Sequence, residues 1–118
     1  MTYRTALTAL ALCAVASGAS AELQVVKDQS DFLKLVQGRD LTRMGITLQV
    51  TENGEITGRA FGKKVSGAWK WQDSFFCRSL YWGSQNMGDN CQQVALDGDD
   101  IRFTSDRGAG RHANFDLK

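Results

Sequence analysis

The chain has no proline, a single histidine and, past its first 21 residues, no apolar run long enough to cross a bilayer. Each scarcity excludes something. Without proline, and with no low-complexity tract or internal repeat, nothing marks a boundary between domains. A lone His112 means that any zinc site would need a carboxylate ligand. No G-x-S-x-G elbow is present, and His112 falls on the polar face of the last strand, so no nucleophile constellation assembles around it. Charge of one sign is also missing. Setting Arg4 aside with the leader discussed next, thirteen basic side chains face thirteen acidic ones. A nucleic-acid platform needs a basic stripe, and this balance argues against one.

What is present begins with a leader. Met1–Arg4 is short and basic, Ala6–Val15 is apolar and free of acids, and Ala19-Ser20-Ala21 has the small-x-small pattern cut by signal peptidase. Cleavage after Ala21 is expected, releasing residues 22–118 as one small domain, periplasmic or secreted and without a membrane span. An uncleaved anchor is one alternative. Lipid attachment at Cys13 is another, although Leu12 is larger than a lipobox allows. Removal of Cys13 leaves Cys77 and Cys91, an even count in an oxidising compartment. Their bridge would close a loop of about 15 residues, worth roughly 3 kcal/mol in the chain-entropy model. Free thiols and metal ligation are the alternatives. The spacing is not C-x-x-C, which counts against a redox pair.

Hydrophobic periodicity sets the fold class. Glu22–Lys27 reads as extended. Ser30 can cap a helix over residues 31–37 with Phe32, Leu33 and Val36 on one face and Gly38 in the terminating position. From Leu41 the period becomes two. Ile46, Leu48 and Val50 alternate with polar residues up to an Asn53-Gly54 turn, and Ile56, Gly58 and Ala60 lead back. Val65, Gly67, Trp69 and Trp71 face one way on the next strand. Residues 75–82, 91–96, 101–105 and 111–117 complete about seven or eight short strands. Hairpins without helical crossovers give an antiparallel up-and-down meander, expected to close into a small barrel or strongly curled sheet. A two-sheet sandwich is the alternative. The helix is expected to plug one end.

Several motifs bear on chemistry. Gly108-Ala-Gly110-Arg-His-Ala113 matches G-x-G-x-x-A, but a dinucleotide site needs a helix to follow, and the five residues left read as strand. Arg107 and Arg111 flank those glycines and make an anion nest conceivable. Asp97-Gly-Asp-Asp100 reads as a turn, since the spacing of a calcium loop is missing. No metal or cofactor is expected. Carboxylates can meet across strands, though the sequence does not say which. The main binding candidates are Trp69, Trp71, Tyr81 and Trp82 on neighbouring strands, with Arg78 between Phe76 and Leu80 on an apolar face. They imply a small-ligand pocket if the barrel is hollow and a core if it is filled. A polar loop over 83–90, held by the bridge, is the candidate surface for an inhibitor or an envelope-protein partner.

Gly67-x-Trp69-x-Trp71-x-Asp73, Phe76-Cys77-Arg78, Trp82-Gly83 and Cys91 together resemble a family of short exported alphaproteobacterial proteins of unknown function. Gly38-Arg39-x-Leu41, the Gly62 turn and Phe103-x-Ser105-Asp106-Arg107-Gly108 extend the likeness over nearly all of residues 22–118. Many members carry the transferred label dihydrodipicolinate reductase. That activity uses a nicotinamide nucleotide on a Rossmann domain plus a substrate domain, and neither fits a strand-rich chain of this length. The resemblance therefore implies an exported β module and transfers no catalytic residue.

Overall fold

The computed structural model describes residues 22–118; the leader and Cys13 lie outside the described residues. Strand β1 (Gln24–Val26) is followed by helix α1 (Gln29–Val36) and by β2 (Leu41–Arg43), β3 (Ile46–Val50), β4 (Glu55–Ala60), β5 (Lys63–Gln72), β6 (Phe75–Trp82), β7 (Gln85–Asp97), β8 (Asp100–Thr104) and β9 (His112–Leu117). Strands β2 to β9 pair antiparallel in chain order, and β9 returns to β2 through Leu41↔Leu117 and Thr42↔Asp116. The result is a closed eight-stranded up-and-down barrel. The sandwich alternative is thus replaced by a closed barrel, in which every strand from β2 to β9 has a neighbour on each side over part of its length.

Strand β7 is the longest because it serves two sets of neighbours. Its first half pairs with β6 up to Gln92, and its second half pairs with β8 from Gln93 onward. Where β6 ends, β1 takes its place, with Val26 opposite Val94. The alternation foreseen for β5 holds: Val65 and Trp69 are buried, and Lys64 and Lys70 are exposed.

The helix begins earlier than Ser30 would imply. Asp28 occupies the N-cap, without a side-chain capping bond, and Gly38 follows the helix at φ +74°. Phe32 and Val36 are fully buried. The Phe32 ring lies 5.0 Å from Trp71, 5.1 Å from Phe76 and 5.4 Å from Trp69, closing one end of the barrel. Full burial of a side chain this size contributes about 1.5–3 kcal/mol.

Two inward-facing glycines allow the sheet to curl. A Cβ on Gly67 would collide with the Ser79 carbonyl, and one on Gly58 would collide with the Thr47 carbonyl, so adjacent backbones approach more closely than a side chain permits. Cys77 and Cys91 are directly opposite on the outer face of β6 and β7 and form a disulfide.

Two outcomes are expected. Gly67→Ala lowers unfolding free energy by about 3 kcal/mol or more, because backbone rather than a flexible side chain must yield; urea denaturation measures it. Replacing both bridge cysteines by alanine lowers it by about 3 kcal/mol and leaves the far-ultraviolet circular dichroism unchanged.

Candidate functional site

An up-and-down barrel sorts its connections into two ends. The turns at 51–54, 73–74 and 98–99 share one end with α1. The turns at 44–45, 61–62 and 83–84 and the β8–β9 connection surround the other. Because Phe32 fills only the helix end, the open end retains a cavity of about 250 Å³. Its walls are inward-facing side chains: Leu41, Leu48 and Ile56 on one side, and Phe76, Phe103 and Phe115 on the other. Polar atoms reach it from Arg78, Gln92, Ser105, Arg111 and His112.

Arg78 is the most constrained of these groups. Opposite Trp69 in register, it faces inward and is half-buried. Its Nη1 donates to the Gly88 carbonyl at 2.9 Å, and among the described residues this is the guanidinium's one hydrogen bond. Burial lowers its pKa, and the Asp89 carboxylate partly offsets that shift. Gly88 is within reach because β7 carries an extra residue here. Ser79 faces Asp89 while Tyr81 faces Asn86, so Met87 and Gly88 bulge opposite Leu80.

Of the other candidates, Trp69 and Arg107 border, with Arg78, one open concavity on the outer face, and the rest scatter. Trp69 is core, and its indole donates to the Thr51 carbonyl at 2.9 Å. Trp71 donates to the Lys27 carbonyl at 2.9 Å and stacks on Phe32. Trp82 donates to the Ala60 carbonyl at 2.8 Å beneath Lys63 Nζ, 4.3 Å from its ring. None of the three lines the inner cavity, so their indoles satisfy backbone carbonyls and fill space. Tyr81 is exposed on the outer face. Arg111 reaches the cavity, whereas Arg107 sits 5.1 Å from the Phe75 ring beside a wide, open outer concavity floored by the disulfide.

The anion nest does not form. The N–H groups of Gly108 and Gly110 donate to the Ser105 carbonyl, and that of Ala109 donates to the Asp106 carbonyl, leaving none for a ligand. The G-x-G-x-x-A stretch runs from a single 3₁₀ turn (Asp106–Gly108) into β9, with no helix after it. Nor is 83–90 a loop. Gly83-Ser84 is a tight turn and β7 starts at Gln85, because Gln85 and Asn86 pair with Trp82 and Tyr81. Polar composition concealed a strand whose outward side is solvated.

Carboxylates do meet across strands, at the helix end of the outer face. Asp100 is opposite both Asp97 and Asp116. Arg102 Nη2 contacts Asp97 at 2.8 Å, and Asn114 Nδ2 donates to Asp97 at 3.0 Å. The hydrogen bond between Asp116 and Asp100 holds the Asp100 carboxyl above its usual range, with desolvation adding to the shift. They line neither the inner cavity nor the outer concavity, and no cluster of three His, Cys, Asp or Glu side chains able to hold a metal ion occurs among the described residues.

Comparison with protein-family models, with curated proteins and with solved structures produced no match. Among the described residues, no helix is long and apolar enough to cross a membrane.

The carboxylate pair sets a pH dependence. A raised folded-state pKa means that ionising Asp100 costs stability as pH rises through that pKa, with no cost below the ordinary value of 3.8. Asp100→Asn is therefore expected to raise the unfolding midpoint at neutral pH. The difference from the parent should vanish near about pH 3, where both states are protonated; thermal melts across pH measure it.

Proposed function

We propose that the protein is a non-catalytic, exported binding module that takes a small, mainly apolar ligand bearing an anionic group into the open end of the barrel. One observation carries the reading. A largely apolar cavity of about 250 Å³ is lined by Arg78, which also borders the outer concavity; its half-buried guanidinium bonds Gly88 through Nη1, and none of its other N–H groups has a partner among the described residues. A buried donor without a partner is costly, and a ligand carboxylate would satisfy several at once in a bidentate pair.

Volume limits the ligand. An apolar cavity of about 150 Å³ holds benzene, and drug-sized pockets begin near about 300 Å³. A single-ring or short-chain carboxylate fits between these limits. The transferred reductase activity forms no part of the proposal, since a nicotinamide dinucleotide needs a βαβ unit that an antiparallel meander does not supply. Export is supported by the leader pattern and by a disulfide that an oxidising compartment would maintain.

The test is calorimetric titration of residues 22–118 with octanoate and benzoate, each beside its neutral amide. Carboxylates are expected to bind more tightly than amides by about 10- to 100-fold, the range of a charge-assisted hydrogen bond. Arg78→Met should erase the preference, and Leu48→Phe should abolish binding by filling the cavity while near-ultraviolet dichroism is retained. Equal affinity for acid and amide, or heat unchanged by Leu48→Phe, would overturn the reading.

A further inference from the structure

The barrel is electrically polar along its axis. Around the open end lie Arg43, Arg59, Lys63, Lys64 and Arg111, countered there by Asp89 and Asp106, while Arg107 lies on the outer wall over Phe75. Asp106 is already engaged by the Asn90 amide at 2.9 Å. Most acids, the Asp97–Asp100–Asp116 group included, lie in the turns and strand ends at the helix end. A chain with balanced formal charge thus presents one strongly basic end.

The same rim exposes large apolar side chains. Met44 is 91% exposed, Phe61 67% and Met87 49%. Met44 and Phe61 sit on adjacent turns, joined by the bond from the Phe61 N–H to the Gly45 carbonyl at 2.8 Å. Met87 occupies the β6–β7 bulge. A single exposed apolar residue needs no explanation, but three at one end amid cations do.

The β4–β5 hairpin tip also contradicts local stability rules twice. Phe61 has φ +51°, a left-handed conformation that a bulky side chain rarely adopts and that glycine or asparagine accepts easily. Arg59 is directly opposite Lys64, and like charges paired across strands are unfavourable. Neither side chain forms an ion pair among the described residues. Internally the tip gains only a long hydrogen bond from Arg59 Nη2 to the Gly62 carbonyl, at 3.5 Å, and the packing of the Phe61 ring over Gly45.

We propose that this open end docks on an anionic lipid bilayer, with Met44, Phe61 and Met87 entering the interface and the surrounding arginines and lysines meeting headgroup charge. The chemistry matches peripheral membrane attachment, in which apolar insertion and electrostatic attraction each contribute part of the affinity. The inference rests on the rim and is independent of what the cavity holds.

The experiment is co-sedimentation of residues 22–118 with vesicles of phosphatidylcholine alone or mixed equally with phosphatidylglycerol. Binding to the mixed vesicles is expected at low salt, with little to neutral ones and with loss at about 1 M salt, where the screening length falls to about 3 Å. Arg59→Gln with Lys64→Gln should lower partitioning about 25-fold, roughly fivefold per cation. Phe61→Asn should weaken it too. Both variants should melt at or above the parent's midpoint, because each relieves a local conflict; that separates a docking role from a structural one. Equal binding to neutral vesicles, no sedimentation at low salt, or undiminished binding of the charge-depleted variant would overturn the proposal. So would destabilisation of both variants, since the tip would then be structural.

Discussion

Everything in this molecule is arranged around Phe32. It is the residue through which an eight-residue helix closes a barrel, and it meets Trp69, Trp71 and Phe76 at ring separations of 5.0–5.4 Å. An eight-stranded barrel has an interior just wide enough for side chains to fill. Here the filling is lopsided. Aromatic rings from the helix and from β5 and β6 crowd one end, so the aliphatic walls supplied by β2, β3 and β4 are left with space at the other. The cavity is thus a by-product of where the plug sits, and Arg78 stands at the boundary between the packed and unpacked halves.

That asymmetry accounts for what could be read in advance. Period-two alternation gave each strand an inner and an outer face, and the turn residues gave the meander; both are local properties. Arg78 could be placed between Phe76 and Leu80 for the same reason. The cavity was not legible. Leu48, Ile56 and Phe103 carry the same alternation signal as residues that are merely core, and only barrel closure decides which of them face a void. The tryptophans misled because aromatic enrichment signals a core and a binding surface alike. The Thr51, Lys27 and Ala60 carbonyls that occupy their indoles come from distant turns and strand ends. The 83–90 segment read as a loop because a strand with solvated side chains and a Gly88 bulge lacks the apolar alternation that marks its neighbours.

The axial charge separation was equally hidden, although every charge was visible. Along the chain, basic and acidic residues interleave and cancel. A meander assigns successive turns to alternate ends, so basic residues clustered at the 44–45 and 61–62 turns and at Arg111 give the folded body one cationic end. Topology, rather than composition, creates the field. Balanced composition tells against a nucleic-acid stripe, yet it says little about polarity along a barrel axis.

The disulfide is the feature with the widest consequence. Cys77 and Cys91 lie on strands that are already hydrogen-bonded neighbours, so the bridge does not hold the barrel shut. What it secures is the stretch of β7 before Gln93, which has β6 on one side and no strand on the other. That stretch is a row of backbone donors and acceptors open to a foreign strand, shielded at one point by the bonds between Asn90 and Asp106. In an oxidising compartment the hairpin stays welded and twisted. In a reducing one the same barrel would persist with a loosened, self-complementary margin, and the first property to fail would be solitude in solution rather than fold.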